Sequence, residues 1–323
     1  MIQERKKELT AYVQGLEKAE LHIHIEGAAP ADVWSKIAKR NGLPSPNQDV
    51  ALAQRTVSSR DLAGFLGSYT RLTIMLLTEL DFYDLMYSYL LSANQQNIGH
   101  VEVFFDTQSY RNFGLDPEMV IKGLGRALDE WCQKLGMTGS LILCFLRNLP
   151  VDQAYMDLEL AQNYKQWIVA VGLAAHETGH PPTLFAPVYQ KARNLGFKTV
   201  AHAGEDGPPE YVWSVLNDLE VDRIDHGGAS IQDPKLVAEI ARRKIPLTMC
   251  PISNVRMGVV QSLELHPFRR LMQAGVRVTI NSDNPAYFGS LIDNYVDTAL
   301  ALDLGQDELS AIARTSIEAS FKQ

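Results

Sequence analysis

Eight short apolar runs, nearly all separated by stretches with helical spacing, set the strongest limit on how this 323-residue chain can fold. They lie at 19–25, 100–105, 140–145, 168–173, 198–202, 222–225, 246–250 and 276–280. Most are continuously apolar rather than alternating, as strands buried on both faces are, and such strands pair in parallel. Helical patterns at 117–135, 152–166, 183–195, 209–219, 233–243 and 266–274 separate them. Parallel neighbours need a crossover of that kind. Eight such units predict an α/β fold, a closed (β/α)8 TIM-type barrel, rather than an open doubly wound sheet. The short, charged run at 222–225 is the weakest of the eight.

The first and second runs are separated by more chain than a crossover requires, with helical patterns at 30–41, 61–76 and 82–97. This excursion reads as an insertion shielding one end of the barrel. Its segment 60–73, with Phe65, Leu66 and Tyr69, is expected to act as a lid. Further helices are expected at 2–16, 289–302 and 307–319, the last two closing the barrel, and the whole of 1–323 reads as one domain.

Composition narrows the partners. Net charge is -8 with both signs interspersed and no block of lysine and arginine, which argues against a nucleic-acid partner but not against a free base or nucleoside as substrate. Cys132, Cys144 and Cys250 are far apart in apolar runs and read as reduced, mostly buried thiols. The first residues are charged and lack a signal-peptide core, and no apolar run is long enough to span a bilayer. A cytoplasmic protein with no membrane partner is the expectation.

The polar residues fall at telling places. His22 and His24, in AELHIHIEG, are two apart in the first run, so a strand sends both imidazoles to one face. His202 ends the fifth run, His226 follows the sixth and Asp283 follows the eighth. Active sites of such barrels collect at the C-terminal ends of strands. His22, His24, His202 and Asp283 together form a donor set for one zinc ion with a position left open for water; iron or manganese would also suit imidazole and carboxylate ligands. Glu205, in HAGEDG, is placed to carry a proton at neutral pH if its pocket raises its pKa, and so to protonate a substrate ring nitrogen. Asp206 is expected as a solvent-facing turn acid or the cap of the helix that follows. His226 is expected to orient the attacking water and stabilise charge, and Asp225 to support a neighbouring histidine. Ser253 and Asn254 fit hydrogen bonds within the site or its loop. His176, Glu177 and His180 read as a pocket loop rather than a second metal site, and His100 and His266 as structural.

The blocks AELHIHIEG, GHPPTLF, TVAHAGEDGPPEYV, VDRIDHG, PLTMCPISN and TINSDNPAYFG together resemble the adenosine/adenine deaminase family of the amidohydrolase superfamily, over about residues 18–321. The resemblance implies a (β/α)8 barrel with one zinc ion on His22, His24, His202 and Asp283, and hydrolytic removal of the purine 6-amino group. It implies that Glu205 protonates purine N1, while His226 and Asp283 position and activate water. Glu26 matches the adenine branch, where nucleoside-deaminating members usually carry Asp near the ribose, so a free base is favoured over adenosine. Two departures bear on specificity. The family generally reads SDDP where this chain has Ser282-Asp283-Asn284-Pro285, and the adenine branch tends to read GLDSSE where this chain has Gly172-Leu173-Ala174-Ala175-His176-Glu177. Asn284, expected near purine N7, keeps hydrogen-bonding capacity and loses a charge. Glu177 is expected beside the ring. The expected substrate is adenine, yielding hypoxanthine and ammonia. The alternatives are an N6-substituted or otherwise modified aminopurine, or a catalytically silent purine-binding protein.

Overall fold

A computed structural model describes residues 2–46 and 71–322. All eight expected strands form: β1 Lys18–His24, β2 Ile98–Phe105, β3 Thr138–Leu146, β4 Ile168–Ala174, β5 Lys198–Ala203, β6 Arg223–His226, β7 Leu247–Met249 and β8 Val278–Ile280. Each pairs in parallel with its neighbour in sequence, in the order β1 to β8. The sheet closes on itself just beyond β8. Ile23 and Asp283 form a parallel bridge; the His24 N–H donates to the Asp283 carbonyl at 2.8 Å, and the Asp283 N–H to the His22 carbonyl at 3.1 Å. The seam of the (β/α)8 barrel therefore runs through three of the proposed metal ligands.

The charged run at 222–225 is a strand because its charges are satisfied inside. Arg223 and Glu102 are both fully buried and paired at 2.7 Å. The guanidinium also donates to the carbonyls of Leu21 and Ala319 at 3.2 Å and lies 4.5 Å from the Phe321 ring. Glu102 in turn contacts His100, which lies within β2 and bonds Thr138 at 2.7 Å, as a structural histidine should. Replacing Glu102 with Leu is expected to destabilise the fold by about 3–5 kcal/mol, because a buried guanidinium would lose its counter-charge. Urea melts of the variant test this.

The helix expected at 82–97 starts earlier, at Glu79, because Thr78 and Asp81 form a capping box. Asp81 and Asp84 also take Arg40, tying the helix Ala31–Arg40 to Glu79–Gln95. The proposed lid at 60–73, with Phe65, Leu66 and Tyr69, lies almost wholly outside the described residues. The terminal helices Leu291–Leu302 and Gln306–Glu318 cover the barrel as expected. Among the described residues no helix is long and apolar enough to cross a membrane.

Candidate metal and catalytic site

Barrel closure gathers the expected residues at the C-terminal ends of the strands. His24 Nε2 lies 3.2 Å from His202 Nε2 and 3.5 Å from Asp283 Oδ1, and His22 Nε2 lies 3.8 Å from the same oxygen. Donor atoms each about 2 Å from one ion are separated by roughly such distances. The buried His22 Nε2 has no hydrogen-bond partner within the protein, as a ligand nitrogen aimed at a cation would not. Its other nitrogen is occupied: Nδ1 contacts the Thr248 carbonyl at 3.2 Å and the Thr248 hydroxyl at 3.1 Å. That hydroxyl donates to Asp225 at 2.8 Å, and the second Asp225 oxygen faces His202 Nδ1 at 3.5 Å. Asp225 thus stands behind two histidines of the set, turning their Nε2 atoms inward. Burial, with the neighbouring histidines, holds His22, His24 and His202 well below the ordinary imidazole pKa. Neutral imidazoles are what a zinc ion binds. The donor set fits the metal.

Phe104, from the apolar cluster inside the barrel, packs against His22, His24 and His202 with ring centroids 4.9–5.4 Å apart. Two site residues sit in the left-handed backbone region, His226 at φ 65° and Asp283 at φ 62°. Strained φ values of this kind are held where the surroundings over-determine them, commonly at functional sites. Here they aim both side chains into the mouth.

Glu205 Oε2 lies 3.5 Å from His226 Nε2. Burial first, then the charges of Glu177 and Asp206, raise its pKa to about 8, with Arg147 opposing. About a quarter of the side chain remains exposed, which tempers the effect of burial. The Glu205 loop is clamped by Glu177, whose buried carboxylate accepts the Gly204 and Glu205 N–H groups, both at 2.8 Å. The clamp needs the glycine at 207, since a Cβ there would overlap the Glu177 carboxylate. Asp206 does not cap the following helix. That helix, Pro209–Asn217, starts at Pro208 without a side-chain cap, and Asp206 instead accepts the Glu177 N–H at 3.1 Å and pairs with His176. The two loops grip each other reciprocally, which is why the acid stays with the loop.

Ser253 donates to Asp283 Oδ2 at 2.5 Å, and Asn284 Nδ2 donates to Asp283 Oδ1 at 2.7 Å. Asn284 also lies against Gly27, where any Cβ would collide with its amide. Glu26 is buried and accepts the Tyr110 hydroxyl at 2.7 Å. Among the described residues His176 and His180 belong to no group of converging metal donors; a carboxylate trio of Glu177, Glu205 and Asp206 does converge. Both Glu177 oxygens there are already taken by backbone N–H groups. A cavity of about 460 Å³ bounded by Glu205, Asp206, Asn254 and Met257 touches none of the four proposed metal donors, so it adjoins that cluster rather than containing it.

Sequence reasoning passed over Thr248 and Arg147. Thr248 was visible as the one polar residue in PLTMC. Arg147 follows β3 directly, is buried, and donates to the His202 carbonyl. A charged residue at a strand's C-terminal end was the signal.

A family model described as adenosine deaminase matches residues 17–323. An adenine deaminase of Acinetobacter baylyi is 45% identical over 310 residues, covering 96% of this chain and 93% of its own length. The crystal structure of an adenine deaminase from Arthrobacter aurescens is 35% identical with a TM-score of 0.91, covering 96% of this chain and 95% of that one. An amidohydrolase of Burkholderia ambifaria with bound zinc is 25% identical with a TM-score of 0.89, covering 97% of this chain and 88% of that one.

Proposed function

The chain belongs to the adenosine deaminase family, and on that premise we propose that it hydrolyses adenine to hypoxanthine and ammonia. The observation that carries the reading is the placement of Glu205, an acid with a raised pKa, 3.5 Å from His226 and beside the cluster of His22, His24, His202 and Asp283. Those four residues would hold the zinc ion, which when bound supplies a Lewis acid and lowers the pKa of water. Iron or manganese would serve the same donors.

Glu205 gives its proton to purine N1, which makes C6 more electrophilic. His226 and Asp283 hold the attacking water, with Asp283 oriented by Ser253 and Asn284. As C6 becomes tetrahedral and then expels the amine, the attacking water releases its two protons: the Glu205 carboxylate passes one to the leaving nitrogen and keeps the other, which restores the acid. The balance is one water consumed and one ammonia released. Glu177 serves by fixing the Glu205 loop. Glu26, held by Tyr110, limits the space a sugar would occupy, and Asn284 sits where the ring's imidazole edge is recognised.

The test is ammonia release by the zinc-loaded protein from adenine, N6-substituted adenines and adenosine. Adenine is expected to turn over fastest, and shortening the acid with Glu26→Asp is expected to shift preference toward adenosine. Faster turnover of adenosine by the unaltered protein would overturn the free-base reading. Amine release from N6-substituted adenines outpacing adenine would move the assignment to those substrates, a shift that Asn284 and Ala174 make chemically reasonable.

A further inference from the structure

Resting on the deaminase reading above, we infer that Asn254 and His266 are positioning residues that fix His226 as the Nε2–H tautomer, so that it presents a hydrogen-bond donor to the reacting centre. His266 is read from sequence as structural, but its imidazole starts a chain of hydrogen bonds that ends at the site.

The direction of the chain follows from its first member. The backbone N–H of Phe268 can only donate, and it faces His266 Nδ1 at 3.2 Å. His266 is 2% exposed, and burial together with His226 pushes its pKa down to about 3, so it is neutral. A neutral imidazole that accepts at Nδ1 must carry its proton on Nε2. That nitrogen lies 3.1 Å from Asn254 Oδ1, which therefore accepts. The other end of the same amide, Nδ2, lies 3.3 Å from His226 Nδ1. An amide nitrogen has only hydrogens to offer, so His226 Nδ1 is the acceptor. Asn254 is 3% exposed, leaving little water to compete for either end. No step in this assignment depends on which way the amide is drawn, because the His266 donor selects its oxygen.

With Nδ1 accepting from the Asn254 amide, the ring of His226 carries its proton on Nε2, the atom 3.5 Å from Glu205. Such a nitrogen has no lone pair for a metal, which separates His226 from His22 and His202 although the three converge. Nor is it a base toward water. It donates to oxygen as negative charge develops there, a contribution that preorganised donors make without rearrangement. Buried polar chains of this kind act as a unit, so the effect of breaking one link is felt at its end.

The experiment uses the zinc-loaded protein labelled with 15N-histidine, with and without Asn254→Asp. The aspartate is close in shape, still accepts from His266, and cannot donate to His226. In the unaltered protein two-bond nitrogen–proton correlations are expected to show His226 protonated at Nε2 and bare at Nδ1. In Asn254→Asp they are expected to show a proton at Nδ1, with kcat reduced about a hundredfold or more and with KM and zinc content unchanged. A His226 bare at Nε2 in the unaltered protein, or a wild-type kcat in Asn254→Asp, would overturn the inference. If His226 carries its proton on Nε2 but no aminopurine is deaminated, the tautomer stands and the deaminase reading fails.

Discussion

Glu205→Gln is expected to lower kcat for adenine by about 10²–10⁴-fold, the usual contribution of a positioned general acid, while leaving the bound zinc in place. Glutamine keeps the size of the side chain and can still donate a hydrogen bond, but it has no proton to give up. Glu205 is not among the four proposed ligands, and its loop is held through the backbone by Glu177 rather than by its own carboxyl. Melting temperature and metal content should therefore change little. The pH profile supplies a second readout. In the proposed mechanism the protonated acid is the active form, so kcat/KM should fall as pH rises through the Glu205 pKa, which burial, Glu177 and Asp206 raise to about 8. A cation at the neighbouring ligands pulls the same carboxyl down, so the limb is expected at or below that pH. Residual activity of Glu205→Gln should lack the limb. Activity within tenfold of the unaltered protein would remove Glu205 from the chemistry.

Asp283→Ala is expected to abolish ammonia release and to lose the metal as well, and this combination separates it from Glu205→Gln. Asp283 is the only carboxylate in the proposed set. Burial raises its pKa to about 7, opposed by His226 and by the Ser253 hydroxyl. Such a group ionises readily only with a cation beside it, so ligand and ion depend on each other. Asp283 also sits at the barrel seam, but it closes the seam through backbone N–H and carbonyl, which alanine retains. The left-handed φ of 62° is less comfortable for alanine than for aspartate, a cost of about 1 kcal/mol or more that a melt will register. Metal analysis should find zinc in the unaltered protein and in Glu205→Gln, and little in Asp283→Ala. Chelation of the unaltered protein should abolish activity, and zinc should restore it. Stoichiometric zinc retained by a fully active Asp283→Ala would refute the assigned donor set.

These outcomes depend on residues of unequal visibility in the sequence. The strands were legible because a parallel barrel buries both faces of each strand, leaving nearly continuous apolar runs such as SLILCF and IVAVGL. The 222–225 run was the exception, because its burial rests on Glu102, far away in sequence and unmarked by any local pattern. His22 and His24 were legible as a pair from the two-residue repeat of a strand. Asp206 was misassigned because a carboxylate ahead of two prolines looks like a helix cap, whereas the loop from β4 comes close enough to claim it. The same approach of loops occupies both oxygens of Glu177 with backbone N–H groups.

The eightfold strand–helix rhythm, the residue types able to bind a cation, and the kinship carried by the ordered blocks can all be read along the chain. These are properties of local spacing and side-chain chemistry, and they survive without coordinates. Folding alone fixes which nitrogen of each histidine faces inward, which carboxylates are spent on backbone N–H groups, and how the line from Phe268 to His226 is directed. Those depend on hydrogen-bond partners drawn from distant strands, and a hydrogen bond is set by angle and distance, which spacing along the chain does not encode.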